Sequence, residues 1–375
     1  NVVEFITNLN EGGAESLVRD YALLLNEQNI NVITVVLWAP HENSPYVKAL
    51  AEKGCKVIYI YPRKKMCKTY VGQKIWNRFI HDSFVKYKLL QIIKDYDVTV
   101  IHSHLEVLYY VKLISNQIRG KVKLFFTCHS MPSFIFKYTR WRNEKPAAQY
   151  LVDHNGLQII ALHNNMRMEL NTMFSTNNTI VLPNGIDFSR YQGITETKKE
   201  IRETINVPYD AFVVGHIGRF TEAKNHEKLV DIFKEVVNRE PSAHLLMIGT
   251  GELQKQIETK LQNYGLDGKY TILQNRNDIP RLLKSMDIFV FPSNFEGLPV
   301  TLVEAQVSKL RCLISTNVTE ECFFSKNAVP LDIKESSSKW ADAVFDLTIE
   351  GNICNEISVF SMDKVIYRLA QLYNS

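Results

Sequence analysis

Two glutamates, Glu296 and Glu304, lie in the stretch Phe291-Pro-Ser-Asn-Phe-Glu-Gly-Leu-Pro-Val-Thr-Leu-Val-Glu-Ala-Gln-Val-Ser308. A strand-like apolar run ends at Pro292, and Pro299 falls where the first helical residue should be. Glu296 is thereby expected on the loop at a strand's carboxyl end, and Glu304 more than one helical turn further on. Two carboxylates so spaced can address the two ends of an extended ligand. Gly297 permits close backbone approach. The N–H groups of the helix start would suit an anion such as a diphosphate.

A second stretch, Val214-Gly-His-Ile-Gly-Arg-Phe-Thr-Glu-Ala-Lys-Asn-His226, reads as strand, turn and a helix beginning near Asn225. Arg219 and Lys224 fall on its loop, two cations suited to the negative charge that grows on a departing diphosphate. Near the amino terminus, Gly12 and Gly13 remove side chains where a strand hands over to a helix, so that the loop could close on a phosphate. Three histidines follow strand ends: His102 and His104 in Ile-His-Ser-His-Leu, and His129 in Phe-Thr-Cys-His-Ser. The His-x-His pair has the types of a metal site, but it lacks a third acidic or cysteine ligand nearby in sequence, so no metal is expected.

The elements that must hold these residues recur along the chain. Short apolar runs at residues 2–6, 32–37, 57–60, 98–101, 122–126, 158–162 and 180–182 alternate with amphipathic stretches such as 15–26 and 75–93. A second series follows at 212–217, 244–248, 270–273, 288–291 and 312–315, and an amphipathic stretch at 361–372 ends the sequence. Nearly continuous apolar strands separated by helices predict parallel sheets covered on both faces. The polar segment 185–210 reads as the linker between two doubly wound α/β domains. Such folds bind ligands at the carboxyl ends of their strands, and a cleft between two of them is the expected site.

Composition agrees with a globular protein: 375 residues, 45% hydrophobic and 22% charged, with a formal net charge of +4. That mild charge permits an anionic partner without requiring one, and no basic tract extends along the chain as nucleic-acid binding would need. The cysteines (Cys55, Cys67, Cys128, Cys312, Cys322, Cys354) form no CxxC pair and are expected to be reduced thiols. No apolar run approaches the ~20 residues that span a bilayer. The opening residues read as a strand and not as a signal peptide, so a cytoplasmic protein is expected.

Taken as a unit, "SNFEGLPVTLVEAQ" resembles the Glu-x7-Glu signature of the retaining GT-B glycosyltransferases of family 4, also called glycosyl transferases group 1. "GRFTEAKN" resembles that family's diphosphate loop, and Gly-Gly-Ala-Glu its amino-terminal turn. Further matches run in order along the chain: Leu182-Pro-Asn-Gly-Ile-Asp187 near the hinge, Met247-Ile-Gly-Thr-Gly-Glu252, and Asn275-Arg-Asn-Asp-Ile279, whose counterpart edges the nucleobase. The resemblance implies a GT-B fold of two Rossmann-like domains facing across a cleft. Residues 1–187 would bind acceptor, 188–355 a nucleotide-sugar donor, and 356–375 would form a helix returning to the first domain.

By the same resemblance, Glu296 meets the donor sugar and Glu304 the ribose. Arg219, Lys224, Gly218, Gly297 and Leu298 hold the diphosphate, with Gly12 and Gly13 opposite. Asn275 and Ile279 border the base, His129 lies beside the transferred sugar or the acceptor, and His102 and His104 shape the cleft wall. The implied activity is metal-independent, retaining transfer from a nucleotide sugar, most simply a UDP-sugar. The acceptor would be a glycan or a polyprenyl-diphosphate-linked chain of an exopolysaccharide or capsule. A nucleotide-sugar 2-epimerase of the same fold and a non-catalytic nucleotide-sugar-binding subunit are the alternatives.

Some residues depart from this pattern or only imitate others. Lys309 and Arg311 stand where the family commonly has Gly and Pro, which bears on the turn after the "EAQ" helix. Asp95-Tyr-Asp97 looks like a DxD metal motif but precedes a strand, the wrong end for chemistry in a parallel sheet. Gly249-Thr-Gly251 begins a dinucleotide fingerprint but has Gln254 in the third glycine's place. From Arg63 to Lys88, eight Lys and Arg face one acid, Asp82, with Tyr70, Trp76 and Phe79 among them. That segment is either a solvated helix face or a peripheral contact with an anionic membrane.

Overall fold

Val2–Ile6 is apolar except for Glu4 and is buried along its whole length, as a strand in the middle of a covered parallel sheet must be. The computed structural model describes residues 1–10, 12–39, 44–61, 81–138 and 144–375. The chain forms two compact units, one of residues 1–185 with 363–375, the other of residues 186–362.

The first unit is built on β1 (Val2–Ile6), β2 (Val32–Trp38), β3 (Lys56–Tyr61), β4 (Val100–His104), β5 (Lys123–Thr127), β6 (Gln158–Ala161) and β7 (Ile180–Val181). Their order is β3-β2-β1-β4-β5-β6-β7, and every pairing is parallel. The order reverses between β1 and β4, which makes the carboxyl ends of these two strands the topological switch point. Register there sets Glu4 opposite His102. The helix Met362–Asn374 buries Val365, Ile366, Leu369, Leu372 and Tyr373, spaced at three and four residues so that they share one face.

The second unit has β8 (Val213–Ile217), β9 (His244–Ile248), β10 (Tyr270–Leu273), β11 (Ile288–Phe291), β12 (Arg311–Ser315) and β13 (Ala328–Leu331), ordered β10-β9-β8-β11-β12-β13 and again parallel. Its switch point lies between β8 and β11. The helix His226–Arg239 buries Leu229, Val230, Ile232, Phe233 and Val236 in a core closed by Trp340. Its N-cap is Asn225, whose side chain accepts from the Lys228 N–H.

Two parts of the second unit differ from the sequence reading. The segment read as a polar linker contains a 3-10 turn, Phe188–Tyr191, and a helix, Lys198–Thr204. That helix starts on a capping box in which the Thr197 hydroxyl accepts from Glu200 N–H and the Glu200 carboxylate from Thr197 N–H. Arg202, buried, ties it down by donating to the Ser285 and Ala211 carbonyls and to Asp287. The edge strand β13 carries Pro330, which weakens its strand signal; a proline is tolerated there because an edge leaves backbone N–H groups unpaired. Of the basic segment 63–88, residues 63–80 lie outside the described residues, and the remainder opens the helix His81–Asp95.

Candidate functional site

At the switch point of the second unit, the loops after β8 and β11 are joined directly. Asn294 N–H donates to the Ala223 carbonyl at 2.8 Å and its side-chain amide to the Glu222 carbonyl at 2.8 Å. The Asn225 amide donates to Asn294 Oδ1 at 3.1 Å. Lys224 Nζ then reaches across to Glu296 Oε1 at 2.6 Å and lies 4.8 Å from the centre of the Phe291 ring. The pair is largely withdrawn from solvent, with side-chain exposures of 17% and 11%. Arg219 is exposed on the same β8 loop.

The glycines of this region have packing reasons. A Cβ at Gly218 would come within 2.9 Å of Lys224 Cδ, so the bare backbone makes room for the lysine stem to fold back toward Glu296. Gly249, at φ +154°, and Gly251 lie against the same loop. A Cβ would stand 2.1 Å from the Gly218 carbonyl oxygen in one case and 2.5 Å from that of Phe220 in the other. Their role is to let the β9 loop support residues 218–220, which hydrogen-bond to it through Gly218 N–H to Ile248 O and Phe220 N–H to Thr250 O. Gly13 differs, since a Cβ there would meet no described atom within 4 Å. Gly12 is extended backbone at the N-cap of the helix Gly13–Glu27.

Glu304 lies in the helix Val300–Val307, with Pro299 as N-cap and buried Gly297 and Leu298 just before it. Its Oε1 accepts from the Tyr191 hydroxyl at 2.6 Å. Burial, then the neighbouring Glu304 carboxylate, pushes the Tyr191 phenol well above its usual range, so it stays a donor. Asn275 is exposed at φ +53°, in a loop braced by a two-bonded fork from Arg276 to Asp278 and by Arg190 donating to the Asn277 carbonyl. Ile279 opens the short helix Ile279–Lys284 beyond it. Lys309 takes φ +61°, so the turn after the Glu304 helix is made without glycine. Arg311 donates to the Ile349 and Asp346 carbonyls.

The first unit gathers its histidines at its own switch point. The reading of His102 and His104 as lacking an acidic partner is corrected by Glu4, which β1 sets beside them although it is about 100 residues away in sequence. His104 Nε2 lies 2.6 Å from Glu4 Oε2, and His102 Nδ1 3.3 Å from the same oxygen. All three side chains are fully buried. Their ligand atoms are grouped closely enough for a cation, but each ring nitrogen already has a partner. His102 holds the Tyr373 and Thr127 hydroxyls at 2.6 and 2.7 Å, and His104 Nδ1 holds His129 Nε2 at 2.9 Å. Burial would raise the Glu4 pKa, but electrostatic attraction to His102, together with hydrogen bonding to the two imidazoles, outweighs this and keeps the carboxyl well below its usual range. Burial pushes His104 down to about 4 and His129 well below its ordinary value, so both are neutral near pH 7.

Glu4, Tyr373 and Tyr191 belong to these clusters without having been singled out from sequence. A lone acid in an otherwise apolar strand is a signal that could have found Glu4, because a buried carboxylate must have partners. Tyr191 carried no such local mark. Asp95 ends the helix His81–Asp95, and Asp97 lies in the turn before β4, at the amino end of the sheet. Among the described residues no helix is long and apolar enough to cross a membrane.

Comparison with known proteins places this geometry in a family. Residues 11–190 match the model for Glycosyltransferase Family 4, and residues 197–327 the model for Glycosyl transferases group 1. EpsF of Bacillus subtilis (strain 168) is 34% identical over 165 residues, covering 44% of this chain and 43% of that protein. The UDP-Gal:alpha-D-GlcNAc-diphosphoundecaprenol alpha-1,3-galactosyltransferase of Escherichia coli is 28% identical over 245 residues, covering 63% of this chain and 62% of the relative. The chain thus aligns with less than two thirds of either relative. Among solved structures, Anabaena Alr3699/HepE in complex with UDP and glucose has the same fold, with a TM-score of 0.78 at 18% identity over 100% of this chain and 99% of that one. With the two family models in succession along a pair of parallel-sheet Rossmann-like units, the chain belongs to the family 4 glycosyltransferases of GT-B fold.

Proposed function

We propose that the chain transfers a sugar from a UDP-sugar to a glycan or lipid-linked acceptor in cell-surface polysaccharide synthesis, with retention of anomeric configuration and without a metal ion. The observation that carries this reading is the Lys224–Glu296 pair, held where the β8 and β11 loops are joined at a switch point. In the proposed complex Lys224 and Arg219 bind the diphosphate beside Gly218, Gly297 and Leu298, and stabilise the charge it gains as the glycosidic bond breaks. Glu296, released from Lys224, accepts from the donor sugar's hydroxyls. Glu304, steadied by Tyr191, accepts from the ribose hydroxyls, a task for which a two-oxygen acceptor is suited. Asn275 and Ile279 border the base, and Gly12 and Gly13 complete the phosphate surroundings. His129 meets the transferred sugar or the acceptor hydroxyl. The leaving phosphate accepts the acceptor's proton.

UDP is favoured as the nucleotide because the Escherichia coli relative is named for UDP-Gal and the Anabaena structure holds UDP and glucose. The same relative's diphosphoundecaprenol-linked substrate favours a lipid-linked acceptor.

A thermal-shift panel of nucleotide sugars tests the reading. A UDP-sugar should raise the melting midpoint, since a ligand that binds only the folded state stabilises it. That donor, incubated with lipid-linked acceptors, should give a product of unchanged anomeric configuration by NMR, at the same rate in EDTA. Consumption of the donor without a transfer product would favour epimerisation, and loss of activity in EDTA would refute the metal-free mechanism.

A further inference from the structure

The hydrogen bonds around Glu4 determine where the protons lie. An ionised carboxylate only accepts, so His104 carries its proton on Nε2 and donates it to Glu4 Oε2 at 2.6 Å. The other oxygen, Oε1, accepts from the Tyr373 hydroxyl at 2.9 Å. That hydroxyl in turn accepts from His102 Nδ1 at 2.6 Å, and His102 Nε2 accepts from Thr127. His104 is neutral, so its Nδ1 is a bare lone pair. It lies 2.9 Å from His129 Nε2, and at that distance one of the two nitrogens must bring a proton. Only His129 can supply it.

His129 is therefore held with its proton on Nε2, its ring stacked 5.2 Å from that of His104. Its Nδ1 has no hydrogen-bond partner among the described residues, and the residue is partly open to solvent. Tyr21 packs against both His102 and His104, at 6.4 and 6.3 Å between ring centres, which further fixes the row of rings.

We propose that Glu4, His104 and Tyr373 are positioning residues that fix the tautomer of His129 and present its Nδ1 as a hydrogen-bond acceptor to a substrate hydroxyl. The role of the substrate hydroxyl rests on the glycosyl-transfer reading above; the tautomer does not. Orientation of one imidazole by a second group that holds its other nitrogen is a general way to define which atom faces the reaction.

The test is a long-range proton–nitrogen NMR spectrum of the full chain labelled with 15N-histidine at pH 7.5, with His129→Gln used to assign the His129 signals. The wild type should show His129 as a single tautomer protonated at Nε2. His104→Phe removes the acceptor and should shift His129 to an averaged mixture of both tautomers. His104→Asn can place a side-chain oxygen near the former Nδ1 and should restore the single form. A His129 protonated at Nδ1 in the wild type would overturn the proposal. So would a spectrum unchanged in a His104→Phe protein that still melts cooperatively. UDP calorimetry on the same samples keeps the two questions apart: a wild type that fails to bind UDP would count against the glycosyl-transfer reading and leave the tautomer result to stand or fall alone.

Discussion

Lys309 turns the chain at φ +61°, a conformation in which a β-carbon crowds the following carbonyl, at a cost of about 1–2 kcal/mol. Glycine would relieve the strain while adding freedom to the unfolded chain, so the two effects partly cancel. Lys309→Gly should raise stability by about 0.5–1 kcal/mol in urea unfolding, and a destabilised variant would show that the lysine side chain contributes more than its backbone costs. The same scale shows what was readable in advance. Glu296, Glu304, Arg219 and Lys224 stand in short contiguous strings that resemble a family's motifs, and it was that resemblance that singled them out; by type and spacing alone they read as ordinary solvated charges. The bond from Lys224 to Glu296 spans 72 positions, and that from Tyr191 to Glu304 spans 113. No spacing rule reaches such pairs, because it is sheet topology that brings them together. The glycines of Gly249-Thr-Gly251 imitated a dinucleotide fingerprint, yet what they serve is the close approach of one loop to another.

At the scale of elements, the helix Leu108–Ile118 is capped from outside. Glu144, at the start of the helix Glu144–Asn155, accepts from the Leu108 and Tyr109 N–H groups at 3.0 and 3.1 Å. A helix amino end favours an anion, but burial dominates here and raises the Glu144 carboxyl to about 7. A folded-state value above the ordinary 4.5 means that the native protein binds the proton more tightly. Its contribution to stability is complete below pH 4.5 and is lost as pH rises through 7, an effect on the order of 3 kcal/mol. Glu144→Gln keeps an acceptor without the charge. Its urea stability relative to wild type should therefore be greater at pH 8 than at pH 5, and an equal difference at both values would contradict the assignment. Strand positions other than that of β13 were legible from their apolar runs, as was the parallel sheet they imply. The helix Lys198–Thr204 was hidden by its polarity: only a Thr-x-x-Glu capping pattern marked it, and its hold on the unit depends on Arg202 and Asp287, 85 positions apart.

At the scale of the whole molecule, each unit places its polar cluster at the point where its own strand order reverses. In the first unit the cluster is the row from Tyr373 and Glu4 through His104 to His129; in the second it is Lys224, Glu296 and the loops that join them. A switch point leaves a crevice above two diverging strand ends, so a ligand can reach backbone and side chains there without disturbing either sheet. On the proposed function, the second unit's crevice binds a nucleoside diphosphate through these side chains. Titration calorimetry of the full chain with UDP tests it most directly. The wild type should bind at a single site, and Lys224→Ala and Glu304→Ala should each weaken binding by about 1–3 kcal/mol, the loss expected for a charge-assisted hydrogen bond. UDP affinity unchanged in both variants would contradict the claim.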